Sequence, residues 1–245
     1  MRVTYLDHSG FCVELAHHIL VFDWVKGDLP AYLDPNLPMV VFASHFHGDH
    51  FTFELFRRLA GRPRVRYVLG RDIKKQWSRG YFAAHGVDGA LYDSLHFMGE
   101  DEGLKLAEPD GTRLEVSTLR STDSGVAFLV TDGSERLYHA GDLNWWVWAG
   151  ETPAYNRQMT ADFLAQMAKL EGQRFDAAFL PLDPRQEADY ARGFDCFMRR
   201  TRTAQGWPMH FWGDESVFDR LTADPCSEPY RERIAPVSLY HRTAL

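Results

Sequence analysis

Residues 44–50 read Ser44-His45-Phe46-His47-Gly48-Asp49-His50, which places three imidazoles and one carboxylate within six positions. A shuffled chain of this composition would contain the same spacing only about 0.002 times, so chance explains it poorly. Imidazole nitrogens and carboxylates are the ligands that Zn²⁺ and related divalent ions accept. Groups packed this closely would waste desolvation energy without a cation. The segment therefore predicts a metal site, and a solvated histidine-rich loop is the alternative.

The residues before this segment predict how it is placed. Met39–Ala43 is a continuous apolar run, typical of a strand buried on both faces. Sites in layered α/β folds commonly lie where such strands end. His45 and His47 are two residues apart, so in an extended segment their side chains point to one side. Gly48 then allows the chain to turn before Asp49 and His50.

The rest of the chain predicts a β-rich first third followed by strands interleaved with helices. Strand-like runs are Val3–Leu6, Phe11–Ala16, Ile19–Phe22, Val65–Leu69, Ala90–Leu95, Leu104–Ala107, Arg113–Leu119, Val126–Thr131, Arg136–His139, Phe175–Leu180 and Met209–Trp212. Helical segments are 52–59 with Thr52 as N-cap, a stretch from about Asp72, 159–170 and 187–201. Two sheets with helices outside satisfy this order, in a single domain over residues 1–245.

Composition narrows the class of protein. The chain has 245 residues, is 45% hydrophobic and carries a net charge of −7, which is typical of an ordinary globular protein and disfavours a nucleic-acid partner. Its cysteines, Cys12, Cys196 and Cys226, are scattered and form neither a disulfide framework nor a CxxC knuckle. We see no leader and no apolar stretch approaching about 18 residues. These features predict a cytoplasmic protein without a membrane partner.

The segment 44–50 resembles the signature of the metallo-β-lactamase superfamily of hydrolases. The resemblance implies an α/β fold, a four-layer αββα sandwich of two mixed β-sheets flanked by helices. It also implies that His45 and His47 hold one metal ion, and that Asp49 and His50 hold a second.

Two later segments extend the resemblance. Gly141-Asp142 follows a strand, and the resemblance implies that Asp142 bridges both ions. His210 follows a late strand and is implied as the last ligand. The opening hairpins resemble those of the branch of ascorbate-phosphate lactonases (UlaG-like). In that branch the residues matching His8 and Asp23 lie near the site, and a purely structural role is the alternative.

One departure from the family pattern affects the first metal site. The family has a further histidine before Gly-Asp, whereas Ser121-Thr122-Asp123-Ser124-Gly125 contains none. Asp123 is the preferred replacement, because a carboxylate also binds Zn, Mn or Fe. His139 is the other candidate, as a ligand or as support for one. If neither binds, the resemblance leaves a mononuclear site whose ligands are Asp49, His50, Asp142 and His210.

The resemblance implies a metal-dependent hydrolase in which water on the metal, not a side chain, is the nucleophile. A divalent ion lowers the pKa of its water ligand from about 15.7 to roughly 7. Asp49 is the predicted catalytic residue, placed to orient that water or to move its proton. We expect one or two ions per chain, with Zn²⁺ preferred and Mn²⁺ or Fe²⁺ as alternatives.

The sequence indicates little about the substrate. We expect a small-molecule lactone, phosphoester or related ester. Trp146 and Trp212 either wall a pocket over the metals or plug the core, and Arg185 either holds a substrate anion or pairs with Asp183. A nuclease or phosphodiesterase and a non-catalytic metal-binding protein are the competing functions. The resemblance is compatible with a monomer and with a homo-oligomer.

Overall fold

The computed structural model describes residues 1–240. Its strands form two six-stranded sheets. The first sheet contains, in spatial and chain order, β1 (Arg2–Asp7), β2 (Gly10–Glu14), β3 (Ile19–Phe22), β4 (Met39–Ala43), β5 (Val65–Gly70) and β6 (His96–Met98). The second contains β7 (Gly103–Ala107), β8 (Arg113–Arg120), β9 (Val126–Asp132), β10 (Glu135–His139), β11 (Arg174–Pro181) and β12 (Arg202–Met209). Each sheet mixes antiparallel and parallel pairs.

Helices cover the outer faces of the sheets. They are α1 (Glu54–Arg58), α2 (Arg71–Gln76), α3 (Arg79–Ala84), α4 (Gly89–Ser94), α5 (Pro153–Leu170), α6 (Arg192–Arg200) and α7 (Ser216–Ala223). Short 3₁₀ turns lie at Pro184–Asp189, Pro225–Ser227, Arg231–Arg233 and Val237–Leu239. No helix within residues 1–240 is both long and apolar enough to cross a membrane.

Strand β3 shows why the sandwich has four layers. Leu20 and Phe22 belong to the core between the two sheets, whereas Ile19 and Val21 belong to a second core beneath α1–α4. Side chains alternate between the two faces of a strand, so a strand that is apolar at every position needs a layer on each side. The predicted fold class, two mixed sheets flanked by helices, is confirmed.

Three element predictions were wrong. The strand predicted over residues 90–95 is instead helix α4, Gly89–Ser94, because Asp88 caps it by accepting a hydrogen bond from the backbone N–H of Leu91 at 2.8 Å. The helix predicted over 187–201 begins only at Arg192, after a 3₁₀ turn broken by the positive φ of Glu187. The strand predicted at 209–212 instead ends at Met209.

The helix after the metal-binding segment also differs slightly from its prediction. It runs over Glu54–Arg58 with Phe53 at the N-cap position, not Thr52. The Thr52 hydroxyl accepts a weak hydrogen bond from the backbone N–H of Glu54 at 3.3 Å, so it supports the turn without capping the helix.

Gly125 allows the two sheets to approach closely beside the predicted metal site. Gly125 has φ +66°, and a Cβ on it would lie 2.1 Å from the Ser44 carbonyl oxygen and 2.5 Å from Cβ of His45. The next residue, Val126, donates its backbone N–H to that carbonyl at 3.1 Å. A side chain here would therefore separate the end of β4 from the start of β9.

We predict that Gly125→Ala destabilises the protein more than Gly133→Ala, its matched control. Both glycines have positive φ, but a Cβ at Gly133 would meet nothing within 4 Å. Backbone strain alone should lower the free energy of unfolding by about 1 kcal/mol at Gly133, and the clash at Gly125 should add about 1–3 kcal/mol. Denaturant titration measures both values. Equal losses would show that the close approach at Ser44 has no energetic weight.

Candidate metal centre

The predicted ligands meet at one edge of the sandwich. Most of these residues come shortly after the C-terminal end of a strand, and neighbouring parallel strands place those ends side by side. The residues after β4 supply His45, His47, Asp49 and His50, the β8–β9 turn supplies Asp123, and the residues after β10 and β12 supply Asp142 and His210.

The first group of ligands surrounds one oxygen of Asp142. Nε2 of His45 lies 3.4 Å from Oδ2 of Asp142 and 3.0 Å from Nδ1 of His47. Nδ1 of His47 lies 3.9 Å from Oδ2 of Asp123. Possible ligand atoms of His47, Asp123 and Asp142 lie within 4.8 Å of one another, with Asp123 where the family pattern has a histidine. His45 joins this group through its contacts with His47 and Asp142.

The second group surrounds the other oxygen of Asp142. Oδ1 of Asp142 lies 3.3 Å from Nε2 of His50 and 3.5 Å from Nε2 of His210. Oδ2 of Asp49 lies 3.8 Å from Nε2 of His50. Asp142 thus faces both groups with different oxygens, the position that a bridging carboxylate needs.

Unpaired buried atoms show that a cation fits this arrangement. Within residues 1–240, Oδ1 of Asp142 and Nε2 of His50 are buried without a hydrogen-bond partner, and they lie 3.3 Å apart. Buried polar atoms are costly unless they are paired. A divalent ion between the His50 nitrogen and the carboxylate oxygen would pair both atoms.

The ionisation of the ligands also suits a metal. Burial, followed by the neighbouring imidazole of His50, lowers the pKa of His45 well below its usual value. Burial and then His210 lower the pKa of His50 in the same direction, so both rings are in the neutral form that binds metal. Burial, followed by Asp123 and Asp49, raises the pKa of Asp142 well above its usual value. A cation would offset that repulsion and favour the carboxylate form of Asp142.

Asp23 holds the ligand segment from behind. Its fully buried carboxylate accepts hydrogen bonds from the backbone N–H and the hydroxyl of Ser44, both at 2.7 Å. Nδ1 of His50 lies 2.7 Å from the same carboxylate and donates to it, which leaves Nε2 of His50 toward Asp142. Asp23 is therefore placed to orient His50, and its supporting role at a metal stays a prediction.

Asp183 orients His210 as Asp23 orients His50, and the sequence did not predict this role. Nδ1 of His210 donates to Oδ2 of Asp183 at 3.0 Å, and the Asp183 side chain is completely buried. Its position directly after β11, between the strands that precede Asp142 and His210, was the available signal.

His8 lies among the candidate ligands themselves, although the sequence indicated only a position near the site or a structural role for it. Its Nε2 is 3.3 Å from Oδ2 of Asp49, and this nitrogen falls within 4.8 Å of the ligand atoms of Asp49, His50 and His210. Its ring also packs edge-on against Trp212 at 4.6 Å.

His139 lies beneath the centre and is engaged elsewhere. Its Nε2 donates to the Ser9 carbonyl at 2.9 Å, and its Nδ1 accepts from the backbone N–H of Gly141 at 3.2 Å. The ring stacks on Phe22 at 4.9 Å. With both nitrogens occupied, His139 has no atom left for a metal, and the geometry favours Asp123 as the replacement ligand.

An open cavity of about 320 Å³ lies over the ligands. Trp146 and Trp148 stack at 5.6 Å and line it, and Nε1 of Trp146 donates to the Asp142 carbonyl at 2.9 Å. Trp145 instead packs on Phe163 of α5. Of the three tryptophans in residues 145–148, Trp146 and Trp148 therefore form part of the cavity wall and Trp145 packs into the core. Trp212 and Arg185 also line the cavity.

The chain is similar in sequence to proteins named UPF0173 metal-dependent hydrolases. It is 27% identical over 163 residues to the one from Opitutus terrae, covering 58% of this chain and 63% of the relative. The Deinococcus radiodurans protein is 27% identical over 241 residues, covering 92% and 88%. The chain spans about three fifths of the length of the first curated relatives that it matches. No family model matches it.

Solved structures share the fold. The metallo hydrolase Igni18 from Ignicoccus hospitalis superposes with a TM-score of 0.55 at 15% identity, covering 96% of this chain and 93% of Igni18. CmlA, a diiron β-hydroxylase from Streptomyces venezuelae, gives 0.54 at 14% identity, covering 84% and 44%. At these identities the likeness concerns the fold alone. The chain thus has UPF0173 metal-dependent hydrolases as sequence relatives and the sandwich implied by residues 44–50.

We predict that Asp23→Asn weakens metal binding about 10–100-fold, because His50 loses the carboxylate that fixes its tautomer and orientation. Competition titration with a metallochromic chelator measures the affinity.

Asp132→Asn is the matched control for Asp23→Asn. Asp132 is also a buried aspartate beside a histidine, 3.1 Å from Nδ1 of His18, but it lies at the opposite end of β9 from Val126. This variant should lose stability and keep the wild-type metal affinity. A similar loss of affinity in both variants would show that general destabilisation, not support of His50, is responsible.

We further predict that Asp123→Ala lowers bound metal by about one ion per chain, because the first group loses one of its two carboxylates. His139→Gln should keep the wild-type stoichiometry. Elemental analysis of folded protein, checked by circular dichroism, measures both. The reverse result would make His139 the replacement ligand.

Proposed function

We propose that this chain is a metal-dependent hydrolase of small esters, with lactones and phosphoesters as the candidate substrates. The observation that carries the proposal is a pair of ligand groups sharing Asp142 at the floor of an open cavity. Similarity to proteins named metal-dependent hydrolases supports it.

The ligand set fits divalent ions, and we propose two per chain. His45, His47 and Asp123 would hold the first and Asp49, His50 and His210 the second, with Asp142 shared. Bound there, such ions lower the pKa of water and polarise a carbonyl or phosphoryl oxygen. Zn²⁺ suits these nitrogen and oxygen ligands, and Mn²⁺ or Fe²⁺ suits groups that each contain two carboxylates.

Asp49 is the residue that we propose to handle the proton. Its side chain is one-third exposed at the cavity, unlike His50 and Asp142 beside it. Although burial opposes it, hydrogen bonding from His8 and the field of His50 hold the pKa of Asp49 below its usual value. Asp49 therefore stays a carboxylate that can orient water and accept its proton, while Nε2 of His8, 3.3 Å from Oδ2, holds that carboxylate in place.

An oxidative diiron enzyme is the second candidate. Two observations favour it: the carboxylate of Asp123 in the first group, and the fold shared with CmlA, a diiron β-hydroxylase. The non-catalytic alternative requires only metal binding and gains no support from the open cavity above the ligands.

A substrate panel tests the proposal. Protein loaded with Zn²⁺, Mn²⁺ or Fe²⁺ is assayed on a nitrophenyl ester, a γ-lactone, a nitrophenyl phosphodiester and single-stranded RNA. We expect cleavage of a small ester, loss of activity on chelation and recovery with metal. Asp49→Asn should lower kcat/KM by about 10²–10⁴-fold, whereas Asp93→Asn, in an exposed ion pair with Arg79, should leave it unchanged.

Other outcomes of the panel would contradict the proposal. A fully metal-loaded protein that cleaves no ester but consumes oxygen with Fe²⁺ would identify the diiron alternative. Faster cleavage of RNA than of every small ester would identify a nuclease.

A further inference from the structure

Arg185 is held rigidly above the metal centre by a buried carboxylate. Its Nε donates to both oxygens of Asp183, at 2.9 and 3.0 Å, and its Nη2 donates to Oδ2 at 2.5 Å. Oδ2 of Asp183 also accepts from Nδ1 of His210. One buried carboxylate therefore fixes both a candidate metal ligand and the guanidinium, so their relative position is set without a flexible link.

Two indole rings flank the guanidinium. Its central carbon lies 4.4 Å from the ring centroid of Trp212 and 5.7 Å from that of Trp148. Stacking of this kind covers the faces of the planar cation and leaves its edges for hydrogen bonding. Trp212 has φ +54°, a strained conformation for a large side chain at the rim of the cavity.

One edge of the guanidinium remains available to a ligand. An arginine has five N–H donors, and the fork to Asp183 uses the Nε–H and one on Nη2. Among residues 1–240, no hydrogen bond from Nη1 is found, and the Arg185 side chain is half-exposed where it lines the cavity. Three donors in a planar array match the oxygens of a carboxylate or phosphate.

The other residues that line the cavity indicate what the rest of the ligand is like. Among the described residues that line the cavity, Arg185 is the one lysine or arginine, whereas Trp146, Trp148, Tyr155 and Met159 supply apolar and aromatic walls. A volume of about 320 Å³ suits a molecule of the size of a substituted benzene ring.

We propose that Arg185, between Trp148 and Trp212, is a specificity-determining residue that binds an oxyanion of the substrate. The substrate class is then a small organic anion with a flat or apolar body and a hydrolysable bond over the metal ions. This inference rests on the proposed function and deepens it.

Equilibrium binding without turnover tests this inference. Benzoate, phenyl phosphate and the neutral isostere benzamide are titrated into metal-loaded protein by calorimetry. The wild type should bind an anionic probe at least tenfold more tightly than benzamide. Arg185→Gln should weaken binding of the anion by about 10–100-fold and leave benzamide unchanged. The tighter of the two anionic probes identifies the oxyanion as carboxylate or phosphate.

Arg192→Gln is the matched control. Arg192 also pairs with an aspartate, Asp189 at 2.5 Å, and lies 5.3 Å from the ring centroid of Trp145, but it does not line the cavity. This variant should bind every probe like the wild type. Arg185→Lys should recover part of the anion affinity, because it keeps the charge and loses the planar fork.

Three results would overturn the inference: equal affinity of the wild type for anionic and neutral probes, unchanged anion affinity in Arg185→Gln, or the same loss in Arg192→Gln. The second result would mean that the metal ions alone hold the anion. Metal content is measured in every variant, so that a lost ion is not mistaken for a lost subsite. Anion selectivity without ester cleavage would overturn the hydrolase proposal and leave this inference standing.

Discussion

The burial of Asp142 is the physical constraint on which the site depends. Its carboxylate is enclosed between two groups of imidazoles, close to Asp123 and Asp49, and one of its oxygens has no hydrogen-bond partner within the described residues. An isolated buried carboxylate is either protonated or paired with positive charge. Neutral imidazoles do not supply that charge, so Asp142 without cations would be protonated, and bound cations would favour its carboxylate form. Asp23 and Asp183, which contact His50 and His210, and the close approach of the chain at Gly125 keep the ligands in place.

The sandwich provides this arrangement through its strand ends. Parallel strands β3–β6 and β10–β12 end at the same edge, where β4, β10 and β12 are followed by ligands. Gly125 lets the two sheets approach closely enough for groups from both to share one oxygen pair. Behind the ligands, Asp23 and Asp183 each fix one histidine through Nδ1, which leaves Nε2 toward Asp142.

Much of the fold and the clustering of the candidate ligands could be predicted, since their signals are local. A five-residue apolar run followed by closely spaced imidazoles defines a strand and a ligand loop without long-range information. Asp183 was missed as a supporting residue because its partner, His210, is 27 residues away and only the parallel pairing of β11 and β12 brings them together. Helix α4 was mistaken for a strand because its few apolar residues fit either period, and the cap at Asp88 decided the outcome. The roles of Trp145 and Trp146 could not be separated by sequence, because adjacent side chains on an irregular loop point in directions that tertiary packing sets.

Structures that share this fold include one named a metallo hydrolase and one named a diiron β-hydroxylase, so the fold alone does not decide the chemistry, and the ions and their ligands carry the functional argument. Anomalous scattering from a metal-loaded crystal tests that argument most directly. The account predicts two peaks that share Asp142, one bound by His45, His47 and Asp123 and the other by Asp49, His50 and His210. A crystal soaked to saturation that shows no anomalous peak beside Asp142 would contradict it.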